Sequence, residues 1–437
     1  MKRIDSFVEN FVSCFILINS CADKVSSDYL RALYVSSKRN CDKMSKHIDR
    51  NNQSLNHFIS NSPWDWKAVC APLGRLFVKM LPSSWLNDLS LSIDESGIPK
   101  KGKSSVGVAH QYCGQLGKGA NSQVGVYAGL ICRGFYCLIN AVLYLPEKWC
   151  DRKDVDIPAE RRQHKTKIEL AYEMILHARD ILKVPFKWVN FDSFYGRDQV
   201  FLYQLHQEGI TFVGDIPRDA TIYLKKPTVY IPGRKNNKGR KFTRYQVKGK
   251  STEAQKVMGT LKGGDFRKLS VRINKEGKPV KTSYHVRKVY LAIKEKGAVM
   301  EVKLLIRKDE DGTIRYALSN NIKASMHRLG FMHSQRYFIE RSFLELKQQL
   351  GLNEYQVRGY GGWHRHMFMC MMGLLFIQTE KMEYFKINKV PSTPQLAELI
   401  KLLLPQKIRT ITDVLSEFKK LKIPKTKYYG SAKKSPT

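Results

Sequence analysis

The stretch LSLSID, Leu89–Asp94, marks where the chain changes character. Leu89, Leu91 and Ile93 alternate with Ser90, Ser92 and Asp94, the period of two that lets an extended strand keep one face apolar. Before it, to about Pro82, apolar residues recur at helical spacing, as in Tyr29–Leu33 and Ala71–Leu81. After it come two longer β runs, Gln123–Ile131 and Phe135–Leu145, which read as a hairpin about Cys132–Gly134. An amphipathic helix over about Lys167–Leu182, a strand Lys187–Phe191 ending at Asp192, a helix Gly196–Gln207 and a strand Ile210–Gly214 complete the run. Three antiparallel-type strands followed by helix–strand–helix–strand predict an α/β layer architecture.

Beyond this unit the composition shifts. Ile216–Ser325 holds short β runs broken by Gly, Asn and Pro turns, with 28 Lys/Arg against 9 acids. Ala220–Thr252 carries ten basic residues and no acid, interleaved with Tyr223, Tyr230, Phe242 and Tyr245. Basic and aromatic residues in hairpins suit a surface that tracks a nucleic-acid backbone, and Arg234, Lys235, Arg240, Lys241 and Arg244 are its candidate contacts. The boundaries predicted are 1–84 (helical, DNA-end binding), 85–215 (first part of a catalytic core), 216–325 (basic β-rich insertion), 326–382 (second part of the core) and 383–437 (basic helices and a disordered tail). In the first of these, Ser54 is a candidate helix cap, and Asn51, Asn52, Gln53 and Asn56 could serve a polar loop or read base edges.

The charge narrows the function. Seventy-five Lys+Arg against 39 acids give +36 over 437 residues. A small-metabolite enzyme has no use for that self-repulsion, whereas a polyanion offsets it and releases counterions on binding. The apolar fraction of 43% is ample for a core. Nine scattered cysteines without a Cys-x-x-Cys pair read as reduced thiols of a cytosolic protein. The run Met367–Gln378 is too short to span a bilayer and reads as a buried helix, so no membrane partner is expected. The turn Gly359–Met367 carries His364 and His366, which suit DNA contact or a helix start better than a metal site.

The chemistry gathers on three acids. Asp94 and Asp192 each end a strand-like run. In Met332–Leu350, read as one helix, Arg336, Glu340 and Lys347 fall within about 40° of one another, beside an apolar stripe of Ile339, Phe343, Leu346 and Leu350. Two strand-end aspartates and a helical glutamate between cations form the set that two-metal phosphoryl transfer requires. Taken singly, each is ordinary: a strand-end Asp is usually a turn former, and a Glu between cations a solvated ladder. Glu95 competes with Asp94, which is preferred because it continues the polar face of the strand.

These segments resemble the DDE transposases of bacterial insertion sequences, in the branch with a Tyr-x2-Arg-x3-Glu-x6-Lys signature. Arg336, Glu340 and Lys347 match it, and His333 stands at the Tyr position. Ser92–Tyr127 and Glu340–His366 also look like this family, and the likeness runs from about Trp64 to Leu375. The resemblance implies a ribonuclease-H-like core interrupted by a β-rich insertion, with Asp94, Asp192 and Glu340 as catalytic metal ligands. It further implies Mg²⁺ or Mn²⁺, two per active site, and Arg336, Lys347 and His333 on DNA phosphates. The partners implied are double-stranded DNA, as transposon ends and target, and further copies of the chain in a homodimer or larger synaptic complex. The compartment implied is the bacterial cytoplasm, at the nucleoid. The competing expectation is a non-catalytic DNA-binding repressor, which would keep the charge without needing all three acids.

Overall fold

The structure is a computed structural model that describes residues 2–17, 20–234, 240–273, 279–387 and 390–404. Five helices come first: α1 (Lys2–Glu9), α2 (Asp23–Val35), α3 (Cys41–Met44), α4 (Asn52–Ser60) and α5 (Cys70–Met80). Asn51, not Ser54, caps α4, because its side-chain oxygen accepts from the Ser54 N–H at 2.7 Å. Gln53 and Asn56 stay exposed.

The alternating stretch opens β1 (Ser90–Pro99), followed by β2 (Ala109–Cys113), β3 (Lys118–Cys132) and β4 (Phe135–Leu143). The β3–β4 hairpin turns at Arg133 and Gly134, both with positive φ. Then come α6 (Glu147–Cys150), α7 (Lys167–Leu176), β5 (Trp188–Phe191), α8 (Ser193–Gly196), α9 (Gln199–Gln207) and β6 (Phe212–Ile216). A capping box at Thr166 and Glu169 starts α7. In space the strands run β4-β3-β1-β5-β6, the first three antiparallel and β1, β5 and β6 parallel. That order is the ribonuclease-H-like arrangement.

The basic segment adds β7 (Thr221–Tyr223), β8 (Thr228–Tyr230), β9 (Gln246–Lys248), β10 (Ser251–Glu253), α10 (Ala254–Met258), β11 (Arg267–Ile273), β12 (Pro279–Ile293), β13 (Ala298–Lys308) and β14 (Ile314–Ser319). Its strands extend the core sheet: β14 pairs antiparallel with β6, from Val213↔Ser319 to Ile216↔Tyr316, and β13, β12, β7 and β10 follow outward. Only β8 and β9 stand apart, as a two-stranded ribbon.

The segment expected as one helix divides into α11 (Met326–Ser334) and α12 (Tyr337–Leu350). The reason is packing. Leu329 and Met332 of α11 join a cluster with Trp188, Val213 and Tyr284, whereas Ile339, Phe343 and Leu346 of α12 join the main core. One straight helix cannot serve both surfaces, and i→i−3 bonds at Gln335 and Arg336 make the bend.

The expected turn at Gly359–Met367 is instead the start of α13 (Tyr360–Lys386), which runs buried through the centre, and α14 (Thr393–Leu403) closes the described chain. The first helices pack on α13: Tyr29 Oη lies 2.8 Å from His366 Nδ1, and Tyr34 donates to the Gly373 carbonyl at 2.6 Å. His364 and His366 are buried, which removes them as DNA contacts. Burial pulls His364 down to about 3 and His366 to about 4, so both stay neutral. The expected basic tail from residue 405 on lies outside the described residues. Among the described residues no helix is long and apolar enough to cross a membrane.

Candidate active site

Strand register puts acids side by side. Ser92 pairs with Asn190 across parallel β1 and β5, so two residues further on Asp94 comes level with Asp192. Phe191 pairs with Gly214 across β5 and β6, which brings Asp192 level with Asp215. Three aspartates therefore lie in a row across three neighbouring parallel strands, Asp94 within β1 rather than at its end, because β1 stays paired with β3 as far as Pro99. Asp192 leaves β5 and caps α8, accepting from the Phe194 N–H at 2.9 Å. That short helix lies tight against β6: a Cβ on Gly196 would fall 1.9 Å from the Asp215 carbonyl oxygen, so only glycine fits. Glu95 is directed elsewhere, into a 2.8 Å ion pair with Lys167.

Arg336, at the α11–α12 bend, ties the row to α12. Its Nε lies 2.9 Å from Asp215 Oδ2, its Nη2 2.8 Å from Glu340 Oε1 and its Nη1 3.8 Å from Asp94 Oδ2, an ion-pair cluster. The guanidinium side chain is 13% exposed, whereas the Glu340 carboxylate is 54% exposed at the open edge. Lys347 lies further along α12. Burial pulls its ammonium down, against the opposing pull of Cys113 and Asp94. The three matched signature positions thus converge on the aspartate row.

Asp215 is the residue that sequence reasoning missed. It is 7% exposed and holds His333 Nε2 at 2.6 Å as well as Arg336. His333 Nδ1 is 3.0 Å from Tyr284 Oη on β12. With both ring nitrogens engaged inside the protein, His333 supports Asp215 rather than reaching a phosphate. The chain Tyr284–His333–Asp215–Arg336 links the inserted strands to the acid row.

The electrostatics separate the acids. Burial pushes Asp94 up to about 8; Arg336 opposes this, while Asp192 and Glu340 reinforce it. Asp192 is also raised, chiefly by burial, with Arg336 opposing. Burial acts on Asp215 in the same sense, but His333 and Arg336 outweigh it and hold the carboxyl down at about 2. The row thus holds more negative charge than one arginine neutralises, and Asp94 answers by keeping its proton.

The expected DNA surface is divided. Arg240, Lys241 and Arg244 are exposed between β8 and β9. Arg234 is described there too, whereas Lys235 lies outside the described residues. Of the interleaved aromatics, Tyr230 and Phe242 are exposed, Tyr223 is buried between β10 and β12, and Tyr245 packs over the Gly297 turn.

A ribonuclease-H-like sheet thus presents a row of aspartates to an Arg–Glu pair at the start of α12. The chain belongs to the DDE superfamily endonuclease family, whose model matches residues 19–277. The matched span contains Asp94, Asp192 and Asp215 and ends before Glu340. Over 251 residues, 55% of this chain, it is 26% identical to the probable transposase for insertion sequence element IS701 from Microchaete diplosiphon. The chain spans 60% of the length of that curated relative. Among solved structures it is similar to the piggyBac transposase of a synaptic complex with hairpin DNA, at a TM-score of 0.40 and 10% identity over 98% of this chain and 80% of that one.

Proposed function

We propose that this chain is a DDE transposase of an insertion sequence, cutting DNA at the ends of its element and joining the freed 3′-hydroxyl to target DNA. The observation that carries the reading is Arg336, which spans from the level aspartates to Glu340. A guanidinium among carboxylates is suited to a phosphodiester, since each of its N–H groups can trade a carboxylate oxygen for a phosphate oxygen.

The donor set fits a hard divalent cation, Mg²⁺ or Mn²⁺. Its atoms are carboxylate oxygens, and burial raises the Asp94 carboxyl to about 8 although Arg336 opposes it. Among the described residues no three His, Cys, Asp or Glu side chains close into a metal cage, and Glu340 is engaged by Arg336 instead. Asp94 and Asp192 would hold the ions, two per site, with Glu340 as the third ligand. When bound, they supply activation of the attacking oxygen and charge stabilisation of the leaving one.

The chain's own residues do the rest. Arg336 and Lys347 hold phosphate oxygens beside the cut. Asp215 and His333 fix the guanidinium so that it meets the substrate already oriented. The exposed cations of the β8–β9 ribbon follow the DNA backbone, and the first helices bind the element's ends. The assembly that pairs two ends contains two or more copies of the chain.

The test is incubation of the purified chain with a labelled end of its own flanking element, supercoiled target and Mg²⁺ or Mn²⁺, with Glu340→Ala as control. Joined products that need both the metal and Glu340 are expected. Cleavage without joining would reduce the activity to that of a nuclease. Specific binding without any cleavage would favour the repressor.

A further inference from the structure

On the other side of Tyr337 from the acids lies a second, larger concavity. Its volume is about 1170 Å³, above the about 300–1,000 Å³ of ordinary small-ligand pockets. It is bounded by the β3–β4 turn, the ends of α11 and α12 that meet at the bend, the far part of α13 and the start of α14. Arg272 and Tyr337 line both it and the small cleft that contains Asp215, Arg336 and Glu340, so the two are contiguous.

Its chemistry is one-sided. Five cations line it, Arg133, Arg272, Arg328, Arg341 and Lys381, against Asp88 and Glu345. Asp88 is taken up by Arg133 at 2.6 Å and by Arg328, and Glu345 by Arg341 at 2.8 Å. Two cations remain without a carboxylate partner among the described residues. Lys381 lies over the Phe135 ring, 5.1 Å from its centroid, with one long hydrogen bond to the Gly134 carbonyl at 3.4 Å. Burial pulls its ammonium down, with Glu345 opposing. Arg272 lies 4.0 Å over the Tyr337 ring, which is itself 38% exposed. A half-buried ammonium held by one long hydrogen bond and two aromatic rings, with no carboxylate partner among the described residues, gains from an anion that joins it.

Aromatic rings also line it, with Phe331, Phe338 and Phe385 beside Tyr337, among aliphatic and polar side chains. Paired duplex offers phosphates but keeps its base faces stacked. Rings set among cations are useful to a strand whose bases are free.

We infer that this groove holds a short unpaired stretch of DNA as it passes the acid cluster, with phosphates at Lys381 and Arg272 and bases against the rings. The inference rests on DNA being the partner proposed above, and it adds a single-strand site that duplex binding alone does not need.

The test uses the full chain in EDTA, so that no cleavage intervenes. Fluorescence anisotropy is read with a labelled single-stranded octanucleotide and, separately, with a labelled duplex end. Lys381→Met keeps the aliphatic stem over Phe135, and Tyr337→Ala removes the ring. Each is expected to weaken octanucleotide binding about tenfold or more, with duplex binding unchanged. A bromodeoxyuridine octanucleotide should photo-crosslink to Tyr337 or Phe331, a readout that requires no variant to fold. Equal octanucleotide affinity in the variants, or crosslinks confined to other regions, would overturn the groove. Duplex binding without octanucleotide binding would sink the groove alone, whereas binding of neither would sink the DNA reading beneath it.

Discussion

Two regions of the molecule handle charge in opposite ways. Across β1, β5 and β6 the chain sets three aspartates in a row, Asp94 and Asp215 buried and Asp192 half-buried, with Arg336 as the arginine among them. In the β8–β9 ribbon, outside that sheet, it exposes cation after cation with no acid between Ala220 and Thr252. Buried charge in low dielectric couples strongly and moves proton affinities, as Asp94 and Asp215 show. Exposed charge is screened within about 8–10 Å at ordinary salt and sums only into a long-range field. The acid row therefore couples locally, whereas the ribbon adds to a long-range positive field. Tyr284, reaching His333 from β12, ties the inserted strands to the acid row.

The sharpest way to break this comparison is at the row. Asp94→Ala or Asp192→Ala should lower end cleavage by at least about a hundredfold, with end binding retained in a mobility-shift assay. Full cleavage by either variant would remove that residue from the site. Asp215→Ala takes from Arg336 its buried acid partner, and loss of one partner of a buried ion pair costs about 3–5 kcal/mol. Urea unfolding should read that loss, and an unchanged midpoint would deny Asp215 its anchoring role. Gly196→Ala sets a methyl against the Asp215 carbonyl and should cost about 1–3 kcal/mol by the same assay.

Proton linkage separates the two aspartates further. Asp215, with its affinity depressed to about 2, adds stability that is present above about pH 4 and lost as pH falls toward 2. Asp94, raised to about 8, acts in the opposite sense: metal-free stability should fall as pH rises from about 4 to 8. Melting of Asp94→Asn should lack that decline, while a decline identical to the parent's would assign it to other groups. The smallest effect belongs to the ribbon. Replacing Arg240, Lys241 and Arg244 with Gln should lower the salt slope of DNA binding by up to about 2.7, at about 0.9 per phosphate contact. An unchanged slope would take the ribbon off the DNA.

Much of this was legible along the chain. The alternation at Leu89–Asp94 located β1, and the apolar stripe Ile339, Phe343, Leu346 and Leu350 marked the buried face of α12. Asp215 was not legible, because the strand read as Ile210–Gly214 ends at Ile216 and carries its acid inside. An aspartate in a buried strand is tolerated only through partners more than a hundred residues away, which no local pattern announces. Nor was the bend at Arg336, since α11 and α12 share a helical period and part only because they face different cores.

By itself the sequence determined the periods, the charge and the residue types: where most strands and helices run, that an anion would be favoured as partner, and which acids could do chemistry. These are properties of short windows and of sums over the chain, and they need no neighbours in space. Only the tertiary structure decided that β14 continues the core sheet from β6, that three aspartates come level, and that Arg336 joins them to Glu340. Parallel register and burial are set by contacts between distant segments, and the low dielectric they create makes an ordinary aspartate hold its proton.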